Sequence, residues 1–168
     1  MARNTGKRGG IRVRGIARTV RSVQKELNKI KNKSLDGLYE AALLVLRDSD
    51  LMTPIDLGNL RASGYVLQRG GKVSNTSPSF VAEKKGSTSK ANPTQMASDH
   101  QGTISKNKKL VDGPKRFGVI VGYTAFYAIY VHENLAASHD TGQAKFLEES
   151  ISKNRKEIIR IVKKRASR

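Results

Sequence analysis

Three histidines, His100, His132 and His139, are the side chains of this 168-residue chain best suited to acid–base or metal chemistry near neutral pH. His132-Glu133 opens like a helical zinc motif, in which two histidines stand four residues apart on one face. The next histidine, His139, comes seven residues later and not four, so the spacing of a helical zinc pair is not met and no zinc site is expected. A serine nucleophile on a G-x-S-x-G elbow is absent, and so is a G-x-x-x-x-G-K-[ST] phosphate loop; Gly70-Gly71-Lys72 lacks the spacing. The chain has no cysteine, which excludes disulfides, thiolate catalysis and cysteine-bound zinc. Glu148-Glu149 lies among basic neighbours and reads as a solvated pair. Acid–base work needs a carboxylate whose pKa its site has shifted, and no pattern here predicts one. No catalytic, cofactor-binding or metal-ligating residue is therefore assigned, and the chain reads as non-enzymatic.

The charge is the larger signal. Lysine and arginine outnumber aspartate and glutamate by 32 to 14, for a formal charge of +18. Self-repulsion at that charge opposes compaction unless an anionic or acidic partner offsets it. Eleven basic residues against one acid fall in 1–33, nine against three in 69–115, and nine against three in 145–168. The candidate partner contacts are Arg3, Lys7, Arg8, Arg12 and Arg14 near the N-terminus, and Lys84, Lys85, Lys108 and Lys109 further on. A nucleic-acid-binding protein of ribosome- or nucleoid-associated type is one reading of this balance. Against it, there is no aromatic RNP-like strand, no zinc-finger spacing and no GXXG loop. No apolar h-region follows the first residues, and no apolar run reaches the roughly 20 residues that span a bilayer. The expectation is a soluble protein, made inside the cell, with no membrane partner.

The elements that must carry these residues follow from hydrophobic spacing. Met1 to Arg14 has little to bury and is expected to be disordered by itself. Ile16, Val20, Val23, Leu27 and Ile30 form one stripe of an amphipathic helix. Ser34 is a plausible N-cap for a second helix, which Pro54 should end by about Asp50. Arg61 to Gln68 alternates as a strand, with Tyr65 and Leu67 on one face and Val66 on the other. Residues from about 70 to 115 are polar with few apolar anchors, and a hairpin-like arm is the expected shape, with Ser79 to Ala82 as a short strand. Phe117 to Tyr123 is the strongest strand. Ala125 to Leu135 and Lys145 to Arg165 read as helices, the latter ending in Lys163, Lys164 and Arg165 at the negative end of its dipole. The fold class is α+β: a small mixed or antiparallel sheet packed against N-terminal and C-terminal helices. Residues 1–33 form a basic arm and amphipathic helix, and 34–168 a single domain with an extended loop.

One segment is distinctive: Thr53-Pro54-Ile55-Asp56-Leu57-Gly58-Asn59-Leu60-Arg61-Ala62-Ser63. Pro54 sets the chain direction after the helix, and Asp56 can bond backbone donors of the turn it opens. Gly58 can take a positive φ, and Leu60 can bury while Arg61 reaches outward. This segment resembles the P-V-D-T-G-x-L-R-x-S segment of the HK97 gp10-like family of tailed-phage neck and tail-completion proteins. Gly122, in Val121-Gly122-Tyr123, with Tyr127, Tyr130, His132 and Glu133 in Tyr127 to Glu133, is similar to that family's V-G … Y-A-x-Y-V-E/H-E element. Gly142 to Leu147, with Phe146 and Leu147, is similar to its P-x-F-L step into the last helix. The three blocks keep the family's order, with Leu57 where it usually has threonine and Asn134 where a glycine often sits. The 70–115 segment and the basic stretch before Ser34 are additions.

The resemblance implies a structural virion protein of the head–tail connector, found in the neck of the particle and in the host cytoplasm during assembly. It implies self-association into a cyclic ring, hexameric or matched to a twelve-fold portal. The implied partners are portal, adaptor, tail-tube and tail-terminator proteins, with basic segments lying on acidic protein faces or on the DNA in the channel.

Overall fold

The structure, a computed structural model, describes residues 16–113, 117–138 and 141–167. Arg3, Lys7, Arg8, Arg12 and Arg14 lie outside the described residues, as does the expected disorder of the first stretch.

The first element is one helix, α1, Ile16–Met52. The expected break at Ser34 does not occur. Ser34 has capping chemistry, but no proline or glycine interrupts 16–36, so nothing stops the upstream turn from propagating through it. At about 1.5 Å per residue, α1 is roughly 55 Å long. It ends where the Thr53 hydroxyl donates to the Ser49 carbonyl at 2.8 Å and Pro54 blocks a further turn. A short helix α2, Asn59–Ala62, follows and leads into strand β1, Gly64–Gln68. The strand is thus shorter than the alternation from Arg61 suggested, because Gly58 to Ser63 closes as a helical turn.

The segment expected to be a hairpin arm contains a helix, α3, Pro93–Val111. Asn92 caps it, accepting from the Gln95 amide at 3.1 Å, and Pro93 occupies its first turn, where the missing N–H costs nothing. Met96, His100, Ile104 and Val111 supply its buried face. Ser79 to Ala82 is not a strand; Val81 is instead clamped by Asn59, which donates to its carbonyl and accepts from its amide, each at 2.7 Å.

Strand β2, Val119–Tyr123, pairs antiparallel with β1, Val66 opposite Val121 and Gly64 opposite Tyr123. The two-stranded ribbon is covered on both faces. Val66 points to Tyr39, Ala42 and Leu46 of α1. Tyr65 and Leu67 point to Ile104 and Val111 of α3. The period-two alternation read from the sequence therefore sorts side chains into two separate cores. Helix α4, Ala128–Glu133, is shorter than the expected Ala125 to Leu135. Helix α5, Phe146–Ala166, runs antiparallel along the second half of α1. Ser150 donates to the Val45 carbonyl at 2.7 Å, Asn154 to Asp48 at 2.8 Å, and Arg165 pairs with Glu40. Gly37 lets the helices touch there: a Cβ would stand 3.0 Å from the Val162 Cα. The result is an α+β body with helices either side of a small antiparallel sheet. Beyond Gly37, α1 runs on past the end of α5.

Candidate functional site

The three sequence blocks that carry the family resemblance fold into one knot at the C-terminal end of α1. Ser63 is fully buried at its centre. Its hydroxyl donates to the Leu60 carbonyl at 2.7 Å and accepts from the Ala125 amide at 3.2 Å, while its carbonyl accepts from the Thr124 amide at 3.1 Å. Gln143 donates its amide to the Met52 carbonyl, and Lys145 to the His132 carbonyl, both at 2.8 Å. Leu60 and Phe146 are buried in one cluster with Met96 and Ala125, and Leu147 and Tyr127 pack against it. Gly58 has φ of 86°, as expected for the turn it opens. Gly122 sits in the ribbon opposite Tyr65.

His132 belongs to this knot as a packed side chain. Its ring meets Phe146 edge to face, with centroids 4.8 Å apart, and Nδ1 lies 2.8 Å from the Glu133 carboxylate. Glu133 also pairs with Lys145, and these two partners hold its carboxyl below the ordinary glutamate range, Lys145 contributing most. Two expectations are corrected. Arg61 does not reach outward; its guanidinium turns back toward the Thr53 carbonyl at 3.4 Å, because the α2 turn aims it under the end of α1. Asp56 is exposed and accepts from the Ser87 hydroxyl at 2.6 Å, a partner from the irregular 69–92 segment and not from its own turn. Ser87 and Ser89 lower its pKa.

Beside the knot lies a groove of about 790 Å³, walled by the 54–60 turn, the N-terminal end of α3, and Phe126, Tyr127 and Val131. Its volume falls in the range of binding clefts, and its walls are mixed apolar and polar. Phe126 is 77% exposed and Tyr130 73%, and Ile129 and Leu135 are also uncovered. A second uncovered apolar surface lies at the other end of the molecule. Every residue from Val20 to Asn32 is exposed, and Val20, Val23, Leu27 and Ile30 stand on α1 with no neighbour over them among the described residues, Leu27 being 56% exposed. Uncovered apolar clusters of this kind mark sites of association.

The basic candidates are not brought together. Lys84 and Lys85 are exposed near Asp56, whereas Lys108 and Lys109 are exposed toward the far end of α3, about 23 Å along that helix from its start. The sequence reading missed two features. One is α3, whose signal was the Asn-Pro start and the spacing of Met96, His100 and Ile104. The other is His100, buried completely: Nδ1 lies 2.8 Å from the Thr124 hydroxyl and Nε2 3.0 Å from the Asn75 carbonyl. It fastens α3 to both the β2 end and the segment after β1. Among the described residues, no group of three or more histidine or acidic side chains is placed to hold a metal, and no helix is long and apolar enough to cross a membrane. The chain matches no family model, no curated protein and no solved structure.

Proposed function

We propose that this chain is a structural, non-enzymatic subunit of the head–tail connector of a tailed bacteriophage, working as one copy in a ring at the portal or adaptor channel. The observation that carries the reading is the uncovered apolar surface at two separated places, the first half of α1 and the Phe126 to Leu135 region. A monomer in water gains nothing from either; a repeated contact between copies can cover both. The convergence of the 53–63, 121–133 and 142–147 blocks into a single hydrogen-bonded knot supports the family resemblance, since residues distant in sequence act there as one unit. The basic segments would then meet acidic faces of portal, adaptor, tail-tube or terminator proteins, or channel DNA.

Light scattering and electron microscopy of the purified chain, with and without portal and tail proteins, test this. Rings, or a subunit located in the neck of intact particles, are the expected result. A chain that stays monomeric beside those proteins and binds duplex DNA with a steep salt slope overturns it in favour of a nucleic-acid-binding role. The exposed Arg21, Lys25 and Lys29 on the first half of α1 are the observation behind that second reading.

A further inference from the structure

We infer that the first half of α1 of one copy docks its Val20-Val23-Leu27-Ile30 stripe into the groove beside Phe126 of the next copy, head to tail. This deepens the ring reading and rests on it for closure of the ring.

The stripe continues a face that is already an interface. Val23 and Leu27 precede Ala41 and Val45 by 18 residues, five full helical turns, so each pair shares a bearing on α1. Ala41 and Val45 are buried, and Val45 takes the hydrogen bond from Ser150 of α5. Helix α5 stops alongside Gly37, where Val162 and Arg165 lie. The stripe is therefore the part of the α5-facing side that α5 is too short to cover.

Among the described residues nothing covers it, and the groove of the same chain is out of its reach. The groove lies at the C-terminal end of α1, next to Pro54 and Leu57. Leu27 is 25 residues before Met52, which is about 38 Å along a continuous helix. Two uncovered apolar surfaces at opposite ends of one rod meet only between copies. Such a contact is heterologous, and repeating it generates a ring or a filament.

Charge favours this occupant over a random surface. The 20–33 stretch carries Arg21, Lys25, Lys29, Lys31 and Lys33 against Glu26. The groove is lined by Asp56 and Asp99 against Lys90. With Lys84 close to Asp56 the rim is near balance, in a chain with 32 basic and 14 acidic residues, so it repels a basic helix less than the average surface does. Pairing two first halves of α1 with each other would instead set one basic surface on another. Nucleic acid would satisfy the lysines but leave the apolar stripe in contact with water or phosphate.

The absence of native cysteine makes the test clean. Leu27→Cys and Phe126→Cys, each made in the full chain at an exposed position, are mixed under mild oxidation. A disulfide dimer is expected in the mixture and not with either variant alone, and the double variant should give a ladder. Leu27→Asp, with an unchanged circular dichroism spectrum, should weaken self-association at least about tenfold. Cross-linking of Leu27→Cys alone, or a wild-type chain that is monomeric at all concentrations, overturns the proposal. Oligomers that persist without the mixed cross-link overturn this contact while leaving the ring reading standing. Leu27→Asp that lowers duplex-DNA affinity with no change in oligomer mass assigns the stripe to nucleic acid instead.

Discussion

Gly142 is where a single methyl group should do the most damage. It has φ of 83° and lies against the turn that ends α1. A Cβ there would stand 2.5 Å from the Pro54 nitrogen, 2.7 Å from the Met52 oxygen and 2.7 Å from the Pro54 Cα. Carbon prefers about 3.5 Å or more from such atoms, so one strand of backbone must move by about 1 Å. All three obstacles are main chain, and none can swing aside as a side chain would. The left-handed conformation costs a non-glycine residue about 1–2 kcal/mol. Overpacking adds about 1–3 kcal/mol. Loss of the adjacent Gln143 amide bond to the Met52 carbonyl adds about 1 kcal/mol more. Gly142→Ala should therefore destabilise the chain by about 3–6 kcal/mol, and at about 2–4 °C per kcal/mol for a domain of this size the melting temperature should drop by about 6–24 °C. Gly58→Ala is the matched reference. Gly58 has φ of 86° with nothing within 4 Å of its added Cβ, so only the backbone cost of about 1–2 kcal/mol applies. Urea unfolding of both variants followed by circular dichroism separates the two contributions. If Gly142→Ala costs no more than Gly58→Ala, the 142–143 segment is not seated on the end of α1 and the knot of three blocks is wrong.

Other perturbations read different parts of the fold. Burial raises the Asp50 carboxyl pKa, outweighing the Tyr123 hydrogen bond and Arg61, which lower it. A carboxyl with a raised folded pKa penalises the fold only once pH exceeds its unfolded value, and the penalty is complete above the folded one. Asp50→Asn, which keeps an acceptor for the Tyr123 hydroxyl, should thus raise the melting temperature at neutral pH, with the gain vanishing below about pH 4; a gain that grows in acid would contradict the burial argument. His100→Ala removes a fully buried ring, strands the Asn75 carbonyl and leaves the Thr124 hydroxyl only its longer contact to the Ser63 carbonyl at 3.4 Å, so denaturant titration should show a loss of about 3–5 kcal/mol. Gly102 lies inside α3 with open space around it, so Gly102→Ala should stabilise by about 0.5–1 kcal/mol in the same titration.

The helical and strand periods were legible wherever apolar residues repeat densely. Tyr65, Val66 and Leu67 announced their two faces, and the structure sends them to two different cores. The second half of α1 and the long C-terminal helix were equally plain. The 70–115 segment was not, because its four buried helical anchors are separated by polar residues and its composition resembles a loop. Only the proximity of β1 makes Ile104 and Val111 a buried face. The break expected at Ser34 failed for a related reason: a capping residue ends nothing when the preceding residues can stay helical.

The residue types by themselves determined that this chain carries a large positive charge in three segments, no thiol chemistry, and a set of short turn-forming motifs at fixed spacing. Those are properties of composition and local backbone preference, and they need no fold to be read. The tertiary structure decided what the motifs are near. It drew 53–63, 121–133 and 142–147 into one knot, turned Arg61 inward, gave Asp56 to Ser87, and buried His100 between α3 and the ribbon. It also left two apolar surfaces uncovered at opposite ends of α1. Contacts between residues far apart in sequence depend on how whole elements pack, and periodicity along one segment does not encode which other segment will cover it.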